Sequence, residues 1–226
     1  MLSKELLIVI PVYNEEKTIS LVIDKAKKFG HVLVVNDCST DNTFHKIESE
    51  SVLIINNKEN LGYEKSLHIG INFAVKHNYQ YCITIDGDGQ HKPKYIKTIY
   101  DGLKNGYEIV LTNRKSKNRF GERIVGLMAR LIYGVNDPYS GLKGYKLNNV
   151  KLIKHNLNNT IGLYLSLKML HNKNTFIEYP ISIEERKFGK STFDTQFFLI
   201  NLFLIRTFLK THYYVKSSSS KTLQSD

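Results

Sequence analysis

The fold of this chain is indicated by one stretch, Ile83-Thr84-Ile85-Asp86-Gly87-Asp88-Gly89-Gln90-His91. An apolar run typical of a buried strand ends at Ile85, and two carboxylates follow, each with a glycine beside it. Carboxylates at positions i and i+2 of a turning segment can converge on a cation that prefers oxygen ligands, and Gln90 offers another oxygen. Such a cation commonly holds a diphosphate and neutralises the charge of a departing group. Taken alone, these residues also suit a plain polar turn, so the surrounding sequence decides.

Apolar segments alternate with amphipathic ones through the first half of the chain. The predicted strands are 6–10, 32–35, 52–55, 81–85 and 108–111, and the predicted helices are 16–29, a short one after Asp41, 64–76 and 93–104. Apolar strands that alternate with helices indicate a mostly parallel sheet covered on both faces. Ligands bind at the carboxyl ends of such strands. The polar clusters at 11–16, 37–41, 86–91 and 112–114 should therefore share one rim.

Composition restricts the possible partners. The chain has 226 residues with a hydrophobic fraction of 42%, which suits one domain with a core and excludes a disordered chain. Its net charge of +11 predicts an anionic partner, either nucleic acid, an acidic membrane surface or a phosphorylated small molecule. Cys38 and Cys82 show neither metal-ligand spacing nor a disulfide framework. We therefore expect a cytoplasmic protein without a signal peptide or a membrane-spanning segment.

Two function classes are disfavoured by what the chain lacks. A dinucleotide-binding fold would explain Asp37 after the second strand, but it needs G-x-G-x-x-G after the first strand. This chain instead has Pro11-Val12-Tyr13-Asn14-Glu15-Glu16 there. A nucleic-acid binder would explain the net charge, but no basic helix carries base-reading polar residues.

Six segments follow one another in a recognisable order. They are IPVYNEE at 10–16, VVNDCSTDNT at 34–43, NLGYEKSLHIGINFA at 60–74, DGDGQHKP at 86–93, DPYSGLKGY at 137–145 and YPISIEERKFGKST at 179–192. In this order they resemble the family 2 glycosyltransferases of GT-A fold, most nearly the polyprenyl-phosphate mannose or glucose synthases. The resemblance implies an α/β, Rossmann-like domain over residues 1–192, with a mostly parallel sheet flanked by helices.

The resemblance also implies roles for single residues. The implied nucleotide-binding residues are Pro11, Tyr13, Glu15, Asp37 and Asp86. The implied ligands of Mg²⁺ or Mn²⁺ are Asp86, Asp88 and Gln90, with Asp88 also counted as catalytic. The implied phosphate- or acceptor-binding residues are Arg114, Arg130, Arg186, Lys190 and Ser191, since a planar guanidinium suits phosphate. Without their motifs, Tyr13 would suit a core edge, Arg114 and Arg130 a solvated surface, and Lys190 and Ser191 a turn.

The chain departs from the family pattern in its acids. Asn36 replaces the first of two acids after the second strand, and the helix at 162–165 lacks the acid that many relatives carry there. Residues 138–177 contain no Asp or Glu but six lysines and two histidines. A hydroxyl acceptor needs a base, for which only Asp137, Glu178 and Glu184 are near, whereas a phosphate acceptor arrives anionic. We therefore favour a lipid phosphate acceptor, and count Arg114 and Asp137 with Asp88 as the catalytic candidates.

The C-terminal part predicts an amphipathic helix over residues 193–216, followed by a disordered tail over 217–226. The apolar residues between 193 and 209 are flanked by Lys187, Lys190, Lys210 and Lys216, a pattern typical of a helix in the headgroup region of a membrane. The same helix could instead pack on the core or on a partner subunit.

The sequence thus predicts an inverting, metal-dependent glycosyltransferase on the cytoplasmic face of the membrane. It would move a hexose from a UDP- or GDP-hexose to polyprenyl phosphate. One alternative is transfer to a saccharide hydroxyl in cell-surface polysaccharide synthesis. Another is a catalytically silent GT-A-fold interaction protein, which the intact Asp86, Asp88 and Gln90 disfavour.

Overall fold

The computed structural model describes residues 5–115, 119–148, 150, 161–184 and 197–222. The strands are β1 (Leu6–Val12), β2 (His31–Asn36), β3 (Leu53–Asn56), β4 (Tyr81–Thr84), β5 (Ile109–Arg114), β6 (Lys143–Lys146) and β7 (Phe176–Ile181). The helices are α1 (Ile19–Ala26), α2 (Thr43–Glu48), α3 (Tyr63–Lys76), α4 (Lys94–Lys104), α5 (Phe120–Tyr133), α6 (Ile161–His171) and α7 (Phe197–Thr222). Every strand and helix predicted for the first half is present, with ends that differ by at most three residues.

The strands form one seven-stranded sheet in the order β3-β2-β1-β4-β6-β5-β7. All neighbours pair in parallel except β6, which runs antiparallel to both β4 and β5. The predicted α/β fold with a mostly parallel sheet is confirmed. Because β6 is reversed, its first residue, Lys143, pairs with Thr84 at the carboxyl end of β4. The segment that precedes β6 is thereby brought to the predicted rim.

Alternation along the strands divides the core into two layers. Leu7 and Val9 of β1 face a cluster that includes residues of α3, α5, α6 and α7. Ile8 and Ile10 face the other cluster, which includes residues of α1, α2 and α4. Helices therefore cover both faces of the sheet, which explains why the central strands are apolar at nearly every position.

Helix α7 packs one face on the rest of the domain and exposes the other. Leu204, Phe208 and Val215 are buried. The side-chain oxygen Oδ1 of Asn201 accepts a hydrogen bond from the backbone N–H of Gly121 at 2.7 Å, which caps the first turn of α5. A Cβ at Gly121 would lie 2.8 Å from backbone atoms of Asn201, so this close approach requires glycine.

The C-terminal helix continues past the end that we predicted at residue 216, to Thr222. The hydroxyl groups of Ser217 and Ser218 donate hydrogen bonds to the carbonyl oxygens three residues earlier, so both hydroxyl groups have a partner within the helix. Within the described ranges, no helix is both long and apolar enough to span a bilayer.

Candidate active site

The carboxyl ends of β1, β2, β4 and β5 lie at one edge of the sheet, together with the amino end of β6. Parallel pairing sets Val12 beside Asn36, and the antiparallel pairing sets Thr84 beside Lys143. The four polar clusters therefore follow strand ends on the same side of the sheet, as the sequence predicted. The segment from Asp137 to Leu142 joins them because β6 is reversed.

The loops after β1 and β2 are tied to each other by side-chain hydrogen bonds. Asn14 donates from its backbone N–H to Oγ of Ser39 at 3.0 Å, and its Oδ1 accepts from the backbone N–H of Thr40 at 2.8 Å. Asn14 has a φ of 56°, a conformation that Asn tolerates better than most residues. The result is a fixed rim on which Tyr13 is exposed while Pro11 remains buried in β1.

Glu15, another of the implied nucleotide-binding residues, lies half-buried at the start of the turn that leads into α1. Its Oε2 accepts a hydrogen bond from the hydroxyl group of Thr18 at 3.3 Å, and its carbonyl oxygen accepts the backbone N–H of Thr18. Glu15 therefore stabilises the turn before α1. This turn occupies residues that we predicted to be helical.

Asp37 is almost fully buried and anchors the loop that leads into α3. Its Oδ1 accepts hydrogen bonds from Nδ2 of Asn57 at 2.8 Å and from the backbone N–H of Leu61 at 2.9 Å. Its Oδ2 accepts the backbone N–H of Gly62 at 2.7 Å. These contacts give Asp37 a structural role, which the sequence did not indicate. Each carboxylate oxygen can accept more than one hydrogen bond, so Asp37 can also receive a donor from a ligand.

The carboxylate of Asp86 is held between two side chains that sequence reasoning missed. Oη of Tyr63 donates a hydrogen bond to Oδ1 at 2.7 Å, and Nδ1 of His91 lies 3.2 Å from Oδ2. A Cβ at Gly141 would collide with this carboxylate, so the glycine leaves it space. Burial opposes ionisation of Asp86. Even so, His91, Tyr63 and the nearby Arg114 lower the pKa of its carboxyl group below the ordinary value. Asp86 is therefore ionised, as a metal ligand must be.

Asp88 and Gln90 complete the turn after β4. Oδ1 of Asp88 accepts the backbone N–H of Gln90 at 2.9 Å. Gln90 is in turn held to the segment after β7, because its carbonyl oxygen accepts the backbone N–H of Glu184 at 2.9 Å. Across the described residues, no three acidic, His or Cys side chains form a metal-binding group. The predicted ligands Asp86, Asp88 and Gln90 are not a group of this kind, because Gln90 is an amide. All three side chains nevertheless offer hard oxygen atoms.

Arg114, which is half-buried, forms an ion pair with the buried Asp137. Nε donates to Oδ2 at 2.7 Å, one terminal nitrogen donates to Oδ1 at 3.0 Å, and the backbone N–H of Arg114 donates to Oδ2 at 3.1 Å. A second carboxylate, that of Glu122, lies 3.5 Å from the guanidinium group. Burial opposes the charged form, but Asp137 and Glu122 raise the pKa of Arg114 above its ordinary value. Arg114 is therefore a permanently charged and oriented donor at the rim.

Asp137 and Glu178, the nearest candidate bases, are both engaged in structural contacts. Asp137 is 2% exposed and receives the three hydrogen bonds from Arg114 described above. The carboxylate of Glu178 accepts the backbone N–H groups of Asn136 at 2.9 Å and of Asp137 at 3.0 Å. This geometry suits two residues that orient Arg114 and its loop.

Lys143 is a buried cation at the rim that we did not single out from the sequence. Its Nζ donates to the carbonyl oxygens of Pro138 at 2.8 Å and of Gly162 at 3.2 Å. Glu64 accepts the backbone N–H of Gly162 at 3.0 Å, so the two charged side chains hold the first turn of α6 from both sides. Burial lowers the pKa of Lys143 to about 8, an effect that Glu64 and Asp137 oppose. The only sequence signal was its place in the segment 137–145.

The structure does not bring Arg130 to the rim. Arg130 is exposed in the last turn of α5, eight residues after Glu122, which corresponds to about 12 Å along a helix axis. Arg186, Lys190 and Ser191 lie outside the described residues.

Comparison with known proteins gives consistent matches. Residues 7–163 match the sequence profile described as "Glycosyl transferase family 2". Over 216 residues the chain is 21% identical to polyprenol monophosphomannose synthase of Mycolicibacterium smegmatis, covering 82% of this chain and 79% of that protein. Over 190 residues it is 25% identical to UDP-N-acetylglucosamine–dolichyl-phosphate N-acetylglucosaminyltransferase of Methanococcus voltae, covering 70% and 75%.

Among solved structures, the fold matches glucosyl-3-phosphoglycerate synthase from Mycobacterium tuberculosis in complex with Mn²⁺, UDP and glucosyl-3-phosphoglycerate. The TM-score is 0.72 at 16% sequence identity, covering 93% of this chain and 79% of that chain. At this identity the likeness establishes the GT-A-like fold and nothing finer.

Proposed function

Since the chain belongs to glycosyl transferase family 2, and is thus a glycosyltransferase, we propose that it moves a hexose from a nucleotide diphosphate-sugar to a polyprenyl phosphate. The observation that carries this choice of acceptor is the ion pair between Arg114 and Asp137. It supports a phosphate acceptor, because it orients the guanidinium group of Arg114 at the rim and engages the carboxylate that a hydroxyl acceptor would need as a base.

The donor would bind across the ends of β1, β2 and β4. The nucleoside would lie against the exposed ring of Tyr13, with a hydrogen bond from its base to Asp37, and the diphosphate would lie beside Asp86 and Asp88. These two carboxylates and the amide oxygen of Gln90 suit Mg²⁺ or Mn²⁺, because they are hard donors and Asp86 is ionised. When bound, the cation would neutralise charge on the leaving diphosphate. The solved structure of similar fold holds Mn²⁺ and UDP, which makes both suitable first ligands for a test.

The acceptor would bring its own nucleophile. A phosphate monoester is anionic near neutral pH, so one of its oxygens can attack the anomeric carbon without an enzyme base. A bond forms between that oxygen and the carbon, the bond from the carbon to the donor diphosphate breaks, and the nucleoside diphosphate leaves from the opposite face. The configuration is thereby inverted. The similarity to polyprenol monophosphomannose synthase and to UDP-N-acetylglucosamine–dolichyl-phosphate N-acetylglucosaminyltransferase supports this class of acceptor.

A lipid acceptor requires contact with a membrane, and two helices offer surfaces for it. Helix α5 exposes Phe120, Leu127 and Leu131 on one face, beside the exposed side chains of Arg123 and Arg130. Among the side chains of α7 that the structure describes, the exposed apolar ones are Leu199, Leu202, Phe203, Leu209, Tyr213 and Tyr214. The exposed cations among them are Arg206, Lys210 and Lys216.

The charge of these helices favours an anionic bilayer over a second copy of the chain. Helix α7 contains no acidic residue, and the one acid of α5 is the buried Glu122. In a symmetric dimer through these faces the cations would face one another, whereas anionic headgroups would attract them. The protein would then act at the cytoplasmic face of the membrane as a peripheral protein.

One experiment tests the proposed reaction. The purified protein is incubated with Mn²⁺, a panel of UDP- and GDP-hexoses and a short polyprenyl phosphate, and the products are identified by mass spectrometry. We expect one sugar to be transferred to the lipid phosphate. Transfer to a saccharide acceptor, with none to the lipid phosphate, would overturn the proposal and favour the hydroxyl alternative. Absence of transfer to either class would favour the silent interaction protein.

A further inference from the structure

We infer that Tyr63 and His91 are positioning residues that hold the carboxylate of Asp86 from two sides and thereby fix one ligand of the divalent cation. This inference rests on the metal site of the proposed function. Both residues lie in segments that carry the family resemblance, 60–74 and 86–93, but the sequence analysis gave neither of them a role.

The first contact is the hydrogen bond from Tyr63 to Asp86. Oη of Tyr63 lies 2.7 Å from Oδ1 of Asp86, the usual length of a well-formed hydrogen bond from a hydroxyl group. Tyr63 is the first residue of α3, and the loop before it is fixed by two hydrogen bonds from backbone N–H groups to Asp37. Its backbone is therefore held in place from β2, although the ring itself is 43% exposed.

The second contact comes from His91. Nδ1 of His91 lies 3.2 Å from Oδ2 of Asp86, and the ring is buried. Both ring nitrogens lack a well-directed hydrogen bond to any part of the chain that the structure describes. Buried polar atoms without a partner are costly, so their presence beside a carboxylate points to a role for the ring at that carboxylate. The backbone of His91 is fixed by its bridge to Ile183, after β7.

Together these contacts restrict the orientation of Asp86. Oδ1 accepts the hydrogen bond from Tyr63, Oδ2 lies beside Nδ1 of His91, and Gly141 on a third side allows the close approach of the carboxylate. Side chains that contact a metal ligand without touching the metal orient that ligand, and their loss typically lowers metal affinity about 10- to 100-fold. Tyr63 and His91 have the geometry of such residues.

The test is a titration with Mn²⁺ alone, followed by electron paramagnetic resonance of the free ion, with neither donor nor acceptor present. Tyr63→Phe should raise the Kd for Mn²⁺ about 10-fold, and His91→Leu should raise it at least as much. Asp88→Asn should abolish binding. Because the ring of Tyr63 is partly exposed and Tyr63→Phe removes one atom, its melting temperature should equal that of the native chain, which separates positioning from loss of fold.

Matched controls exist in the same chain. The hydroxyl group of Tyr100 donates to Oε2 of Glu5, also at 2.7 Å, and Nδ1 of His31 lies 2.9 Å from the hydroxyl oxygen of Tyr79. Tyr100→Phe and His31→Leu should therefore leave Mn²⁺ binding unchanged.

Two results would overturn the inference. One is a Kd for Mn²⁺ in Tyr63→Phe that is equal to or lower than that of the native chain. An equal Kd would mean that the hydroxyl group does not affect ion binding, and a lower Kd that it competes with the ion for Asp86. The other is failure of the native chain to bind Mn²⁺. A native chain that binds Mn²⁺ but transfers no sugar would instead contradict the proposed function and leave the positioning intact.

Discussion

The guanidinium group of Arg114 is locked onto the carboxylate of Asp137, with Nε 2.7 Å from Oδ2 and a terminal nitrogen 3.0 Å from Oδ1. Asp137 is buried, and its own loop is held by Glu178 through the backbone N–H group of Asp137. A charged pair of this kind is costly to break, because loss of Asp137 would leave the half-buried guanidinium group with only the more distant carboxylate of Glu122, at 3.5 Å. The rim therefore has a guanidinium group of fixed orientation.

Asp137→Asn should lower the free energy of unfolding by about 3 kcal/mol, the scale for breaking a buried ion pair. The exposed pair of Lys97 and Asp101 provides the control, and Asp101→Asn should cost less than about 1 kcal/mol. Chemical denaturation measures both. If Asp137 were a general base, Asp137→Asn would instead lower kcat by about 10²-fold or more with the fold unaffected. That result would contradict the role of Asp137 in orienting Arg114.

Asp88→Ala and chelation by EDTA should each abolish sugar transfer. Asp88 lies on the turn after β4 and outside the sheet, so the melting temperature of Asp88→Ala should match that of the native chain. Activity is followed by release of nucleoside diphosphate, with Mn²⁺ added back after chelation to restore it. Full activity in EDTA would exclude the proposed metal site.

Asp37→Ala should weaken binding of the nucleoside diphosphate by roughly 1.5–3 kcal/mol, the usual range for a lost hydrogen bond to a charged group. The same change removes the acceptor for the backbone N–H groups of Leu61 and Gly62, so their amide hydrogen exchange should accelerate. Calorimetry measures the affinity and mass spectrometry the exchange. Faster exchange with unchanged affinity would show that Asp37 holds the loop but does not contact the base.

Lys143 should make stability depend on pH in the alkaline range. Its pKa in the folded chain is lowered to about 8 by burial, whereas an unfolded lysine has a pKa near about 10.4. Between these values the unfolded chain binds the proton more strongly, so the contribution of Lys143 to the free energy of unfolding rises with pH, by up to about 3 kcal/mol. Below about pH 8 both states are protonated and the contribution is constant.

The measurement for Lys143 is the difference in free energy of unfolding between the native chain and Lys143→Met across this range. The groups whose charges act on Lys143 are Glu64, Asp86, Asp137 and Arg114. If the free energies of unfolding of the two proteins changed with pH in parallel, Lys143 would not titrate between about pH 8 and 10.4, and the prediction would be wrong.

Leu127→Glu and Leu131→Glu should weaken binding to anionic liposomes without altering transfer to a short, water-soluble polyprenyl phosphate. These side chains are 61% and 79% exposed, so the fold should tolerate the change, whereas a bilayer would repel the new charge. Leu21 on α1 is 59% exposed on the other side of the sheet, and Leu21→Glu is the control. If all variants bound liposomes equally, or if Leu131→Glu dissociated a native dimer, this surface would not be the membrane contact.

The sequence was sufficient to predict the parallel half of the fold and the turn after β4. Strand and helix periods are local properties, so β1 to β5 and α1 to α4 could be located to within three residues. The order of the polar clusters along the chain likewise predicted one rim, because parallel strands all present their carboxyl ends at the same edge.

Contacts between distant segments required the tertiary structure. The reversal of β6 sets Gly141 against Asp86 and buries Lys143, yet nothing local to residues 137–146 indicates the direction of that strand. The engagement of Asp137 by Arg114 spans 23 residues and that of Asp86 by Tyr63 also spans 23. Sequence patterns report which residue types are present, whereas the hydrogen-bond partner of a carboxylate depends on how separate elements pack.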